Sequence, residues 1–267
     1  MISGFRLRKK NQEDSPRRTV EPGPSHMRRL LAWAVHLYTA LGLVAGAGIA
    51  VLIVRGGPAS FRAAFALMIA ATLIDATDGT LARAAGVKKV LPGFDGRRLD
   101  DIIDFLTYTC LPLLLIWRTD LLTDGWAWCL FAPLLASAYG FCQTDAKTPD
   151  GYFLGFPSYW NIVALYLYAL QPLSWAAALI ILALSFLTFV PIRYLYPSQG
   201  GRINLATNAL AAVWTALWLW IVWRLPDDKP PDGAAFWMAL ASLFFPCYYF
   251  AVSWIATVHY WSNREED

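Results

Sequence analysis

The sequence is short of charge. Only 15% of its 267 residues are Asp, Glu, Lys or Arg, against roughly 25% in an ordinary soluble domain. With 57% of residues hydrophobic and 15% aromatic, a water-soluble fold would expose far too much apolar surface, which points to an integral membrane protein. Cysteine is scarce as well. Cys110, Cys129, Cys142 and Cys247 are scattered among apolar stretches without a CxxC pair, so neither a disulfide framework nor a zinc site is expected. The first 28 residues lack an apolar core, which excludes a cleavable secretory signal within them. They read as a basic, disordered tail near an anionic leaflet, and Met27 is a second candidate start. Internal repeats and low-complexity tracts are missing, and nothing suggests a separate soluble domain. The modest net charge of +3 calls for no nucleic-acid partner.

What the sequence does have is long apolar runs. A helix needs ~20 mostly apolar residues to cross a bilayer core, and eight segments meet or approach that length, roughly 30–54, 59–82, 99–117, 126–143, 157–170, 173–191, 203–223 and 234–261. The expected fold is therefore an all-α membrane protein of about eight transmembrane helices, a single unit over residues 29–267. Lys and Arg set the orientation. With the N-terminus inside, the inner side receives the basic tail, Arg83, Lys88, Lys89, Arg97, Arg98, Lys147, Arg193, Arg202 and Arg264. The outer side receives only Arg55, Arg62, Arg118, Arg224 and Lys229.

The inner ends of the second and third spans are acidic. Asp75-Ala-Thr-Asp78-Gly79-Thr-Leu-Ala82-Arg83 is followed, after a spacer, by Gly96-Arg-Arg-Leu-Asp100-Asp101-Ile-Ile-Asp104. Helical residues three and four apart share a face, so Asp75, Asp78, Gly79 and Ala82 line one side of the second span. Asp100 and Asp104 line one side of the third, and Asp101 points away. Four carboxylates converging between membrane helices repel one another and resist desolvation, and Arg83 alone cannot neutralise them. Oxygen-only ligation suits a hard divalent ion, Mg2+ or Mn2+. A structural ion pair with Arg83 and a carboxylate-lined transporter are the competing readings. The position of the acids at the inner ends, away from midplane, weakens the transporter.

These residues resemble the CDP-alcohol phosphotransferase motif, D-x-x-D-G-x-x-A-R followed by G-x-x-x-D-x-x-x-D, with every fixed position filled by Asp75, Asp78, Gly79, Ala82, Arg83, Gly96, Asp100 and Asp104. The resemblance implies metal ligation by Asp75, Asp78 and Asp100, with Asp104 as general base and a possible further ligand. It implies a nucleotide site at Asp78, Gly79, Ala82, Arg83 and Gly96. It also implies a six-helix catalytic core (about 29–192) with two extra C-terminal helices (about 203–261), and a homodimer. The expected setting is a bacterial inner membrane with the site facing the cytoplasm.

The twelve-residue spacer between Arg83 and Gly96 is longer than in most of that family and is similar to that of the phosphatidylcholine synthase subfamily, whose substrates are CDP-diacylglycerol and choline. Quaternary ammonium binds aromatic faces. The inner loops supply Tyr152, Phe153, Phe156, Tyr159, Trp160 and Tyr194 as a candidate choline pocket, with Tyr196 nearby and Asp145 and Asp150 as helpers. An interfacial aromatic belt explains the same residues equally well. Phosphate-bearing acceptors would want more basic residues than the later inner loops hold. Serine would need a carboxylate partner such as Arg193, so phosphatidylserine synthase stays open within the same fold. Asn161, Asn204 and Asn208 read as interhelical glue, and His36 and His259 show no catalytic pattern.

Overall fold

The computed structural model describes residues 24–123, 125–148, 150–195, 202–226, 231 and 233–264. Most of the expected N-terminal tail, Tyr196 and most of the polar turn before the last span lie outside the described residues.

Helix α1 (His26–Arg55) begins inside the expected tail, capped by Ser25, whose side chain accepts a hydrogen bond from the Arg28 N–H. α2 (Pro58–Ala85) opens on a proline, which fits a first turn where its missing N–H needs no partner. It stops at Gly86, whose φ of 61° is the left-handed conformation that glycine adopts without a Cβ clash. The spacer is not a loose loop. Its residues fold into a helical turn, α3 (Val87–Val90), that buries Val87 and Val90 against Ala32 of α1.

α4 (Gly96–Asp104) is capped by Asp95, whose carboxylate accepts from the Arg98 N–H at 3.3 Å. It continues through a π-helical segment, Phe105–Cys110, into α5 (Leu111–Arg118). Pro112 explains the wider turn. It has no N–H to donate to Tyr108, and its ring would collide with the Tyr108 carbonyl in a regular helix. A π segment relieves that crowding without breaking the rod.

A 3-10 turn (Ala127–Leu130) leads into α6 (Phe131–Cys142). β1 (Tyr152–Leu154), α7 (Trp160–Leu170), α8 (Ser174–Leu187), β2 (Arg193–Leu195) and α9 (Arg202–Arg224) come next. The chain closes with α10 (Gly233–Ser242) and α11 (Phe244–Arg264). Pro246 removes the backbone bond to the Ser242 carbonyl, which accounts for the break between the last two helices.

Among the described residues, four helical stretches are long and apolar enough to cross a membrane, His26–Arg55, Pro58–Ala85, Leu205–Arg224 and Gly233–Ser262. Ala127–Cys142, Trp160–Leu170 and Ser174–Leu187 are shorter apolar helices. Large apolar side chains such as Leu37, Val54 and Trp223 stand exposed on the outer faces, as lipid contact requires. The protein is an integral membrane protein built of helices, with one addition that helical periodicity did not foretell. β1 and β2 pair antiparallel, Phe153 opposite Tyr194, so the two inner loops form one small sheet.

α1 and α2 pack along their length, and α1 also lies against α4 and α5. Glycines permit the second contact. A Cβ at Gly42 would meet Ile103 Cγ2 at 2.6 Å, and one at Gly46 would meet Leu106 at 3.2 Å, so small residues bring the backbones together. The C-terminal helices are joined to the rest: α9 packs on α2, α10 on α7, and α11 on β2. At their centre the Tyr166 hydroxyl accepts from the indole N–H of Trp214 at 3.0 Å and of Trp218 at 3.4 Å, and bonds Ser242 at 2.9 Å. Three helices thereby share one buried polar node.

Candidate active site

The acidic site forms where α1, α2 and α4 meet. Its pocket takes Ala71, Ile74, Asp75 and Asp78 from α2, Asp100, Ile103 and Asp104 from α4, and Thr39 and Gly42 from α1. Each set follows the i, i+3, i+4 rhythm of a helix face, which is why four acids distant in sequence reach one cavity. Asp101 is not among the lining residues, as the spacing predicted.

Within this pocket Asp75, Asp78 and Asp100 each direct a carboxylate oxygen to within 4.8 Å of the others. Asp78 is buried, and Asp75 and Asp100 are half-buried. Asp104 lines the same pocket but is outside that group of three. The donors are all carboxylate oxygens, with neither thiolate nor imidazole in the group, a set that suits a divalent cation.

The other motif residues divide by what they touch. Arg83 is exposed and folds back along its helix. Its guanidinium donates to Thr80 Oγ1 at 3.0 Å, and one Nη stands 3.4 Å from where a Gly79 Cβ would be. Gly79 thus leaves the guanidinium room to lie across the helix end. Ala82 packs with the small cluster of Ala32, Val87 and Val90. Gly96 is covered by a protein side chain: a Cβ there would sit 2.5 Å from His36 Cε1. His36 itself is wedged against Phe94, ring centroids 4.4 Å apart.

Two neighbours of the aspartates carried no assignment in the sequence. The Tyr108 hydroxyl donates to Asp75 Oδ2 at 2.8 Å, and Lys147 exerts a favourable field on Asp75 and Asp100. Tyr108 did carry a local signal, since it lies four residues beyond Asp104 and shares that helix face. Lys147 counts as an inner-side charge but lies far along the chain from either acidic pair.

The six aromatic candidates divide by burial and by what they touch. Phe156, Trp160 and Tyr194 are buried in the hydrophobic core. Phe156 contacts Trp160 and Tyr194 edge-on and stacks on Phe250 at 6.1 Å, while Tyr194 stacks on Tyr249 at 6.0 Å. The Trp160 indole donates to Ser137 at 2.8 Å. Tyr152, Phe153 and Tyr159 are half-buried. The Lys147 ammonium lies 5.4 Å from the Phe153 ring centroid.

The expected helpers also find other work. Asp150 pairs with Arg193, and its carboxyl is held below its ordinary value by the Thr148 hydroxyl first and the Arg193 guanidinium as well. Arg193 is buried and lies between the rings of Tyr152 (4.7 Å) and Tyr260 (3.8 Å). Asn161 does act as interhelical glue, its amide donating to Thr72 at 3.1 Å.

No family model matches the chain. Its curated relatives are informative. The chain is similar to the phosphatidylcholine synthase of Borreliella burgdorferi, 38% identical over 69% of this chain and 78% of that protein. It is similar to that of Pseudomonas aeruginosa, 34% identical over 74% of this chain and 83% of its relative. Against the Legionella bozemanae protein of the same name identity rises to 46%, over 50% of this chain and 62% of the relative's length. Fold and site together define an integral membrane protein with a metal-suited acidic centre at the junction of three helices. On the extent of these matches, the chain belongs to the phosphatidylcholine synthase family.

Proposed function

We infer that this chain transfers the phosphatidyl group of CDP-diacylglycerol to choline and releases CMP. The observation that carries this reading is the convergence of Asp75, Asp78 and Asp100 within 4.8 Å, with Asp104 beside them in the same pocket, in a chain of the phosphatidylcholine synthase family.

Asp75, Asp78 and Asp100 would hold Mn2+ or Mg2+, with Asp104 a further ligand in reserve. When bound, the cation supplies stabilisation for the charge that grows on the phosphate oxygens. Asp78, Gly79 and Arg83 face the CDP group, the Arg83 guanidinium offering a fork of donors to phosphate. Ala82 and Gly96 shape that end of the site by admitting close packing of α3 and His36. Asp104 takes the proton from the choline hydroxyl as its oxygen forms a bond to the phosphatidyl phosphorus. The bond from that phosphorus to the bridging oxygen breaks, and its electron pair leaves with CMP.

The acceptor assignment gains support from Arg193. Serine recognition would need a free cation for its carboxylate, and the Arg193 guanidinium is already held by Asp150, Tyr152 and Tyr260. Phe153 is the strongest member of the choline pocket, because its ring already attracts the Lys147 ammonium. Tyr152 and Tyr159 are its half-buried neighbours, and Phe156, Trp160 and Tyr194 support the platform from the core.

The proposal includes eight membrane crossings, a cytoplasmic site in the bacterial inner membrane and a homodimer. The uneven placement of Lys and Arg supports the orientation, and the family resemblance supports the dimer. Purified protein given CDP-diacylglycerol, choline and Mn2+ should produce CMP and phosphatidylcholine in equal amounts, and a chelator should stop both. CMP without phosphatidylcholine would overturn the transfer.

Lys147 allows a finer check. A Lys147→Gln substitution removes a charged donor, whose hydrogen bonds contribute about 1.5–3 kcal/mol. The expected result is a KM for CDP-diacylglycerol raised roughly 10-fold or more, with kcat little changed. An unaltered KM would place Lys147 outside the lipid–nucleotide site.

A further inference from the structure

Tyr108 is buried in the π segment between α4 and α5, and its hydroxyl reaches across to α2. It donates to Asp75 Oδ2 at 2.8 Å and lies beside the Thr72 hydroxyl. Thr72 is itself fixed at both ends, accepting from Asn161 Nδ2 of α7 at 3.1 Å and donating to the Met68 carbonyl at 3.0 Å. Asn161 is steadied in turn by the Ile162 N–H, which its side-chain oxygen accepts at 2.9 Å. A hydrogen-bonded run from α7 to α2 thus flanks the bond between Tyr108 and the Asp75 carboxylate.

Such a contact has a physical purpose here. Asp75, Asp78 and Asp100 are crowded to within 4.8 Å, and like charges at that range drive carboxylates to rotate apart. A carboxylate offers about four lone-pair positions, so one buried donor can fix its plane and leave the remaining positions facing the pocket. Helical spacing itself brings Tyr108 to the site, because it lies four residues beyond Asp104 and so shares that face.

We propose that Tyr108 is a positioning residue, holding the Asp75 carboxylate in the arrangement that receives the divalent cation. This rests on the metal reading given above. Tyr108 does not touch substrate in this role and takes no proton.

The test is Mn2+ binding to the purified full chain, followed by electron paramagnetic resonance without substrate. Partners that orient a ligand typically govern 10–100-fold of metal affinity. Tyr108→Phe keeps the ring and is expected to weaken Mn2+ binding by about that factor. Its kcat should recover towards the parent value at saturating Mn2+. On an Asp75→Ala background the same substitution should weaken binding no further, because the acceptor of its hydrogen bond is gone. Unchanged Mn2+ affinity in Tyr108→Phe would overturn the proposal while leaving the metal site intact. No Mn2+ binding by the parent protein would overturn both. Should Tyr108→Phe not fold, Thr72→Val decides the matter, with weaker Mn2+ binding expected and parent-like binding contradicting the role.

Discussion

Asp104→Asn is expected to lower kcat for CMP release by about 10²–10⁴-fold, the usual contribution of a positioned general base. Asparagine has nearly the shape of aspartate and no basic oxygen, so it should fill the pocket while leaving the choline proton without an acceptor. Asp104 lines the same cavity as the three clustered acids but is not one of the group whose oxygens gather within 4.8 Å. Mn2+ binding should therefore survive the substitution, separating base from ligand in one variant. Retained turnover would show that the proton goes elsewhere.

Asp78→Asn should have the opposite signature. Asp78 is the buried member of the cluster, and its loss removes a charged ligand with no solvent to compensate. Residues that merely orient a ligand govern 10–100-fold of metal affinity or activity, so loss of a ligand itself should exceed ~100-fold in both. The defect should appear first in Mn2+ binding and only as a consequence in kcat. Activity that returns fully at moderate Mn2+ would argue that Asp78 is peripheral to the cation.

The contrast between these residues and the aromatics shows what a linear sequence can reveal. Asp75 and Asp78 share a helix face by local spacing, as do Asp100 and Asp104, and the short spacer forces the two faces together. That arrangement was legible because every step in it is local. The apolar runs were equally readable, and helices occupy all eight predicted stretches.

Features that depend on distant contacts were not legible. Tyr152 and Tyr194 looked like neighbours in a pocket, yet the inner loops pair as strands β1 and β2, and that pairing turns Tyr194 into the core. Arg193 looked available to a substrate carboxylate, until the same sheet set it against Asp150 and Tyr152. The resemblance implied a nucleotide site at Gly96, and the close approach of His36 from another helix had no signal in the sequence. The spacer was legible only by its length, and Val87 and Val90 find Ala32 and fold into a docked turn. Tyr108 was overlooked for a different reason: its place four residues beyond Asp104 was legible, but its partner Asp75 belongs to another helix.

The most direct test of the central claim is an acceptor panel. Purified protein in detergent, supplied with CDP-diacylglycerol and Mn2+, would receive choline, serine, inositol or glycerol 3-phosphate in turn, with CMP measured in each case. The account predicts rapid CMP release with choline and only background release with the other three. Release with serine but not choline would contradict the acceptor assignment, and no release with any acceptor would contradict the reaction itself.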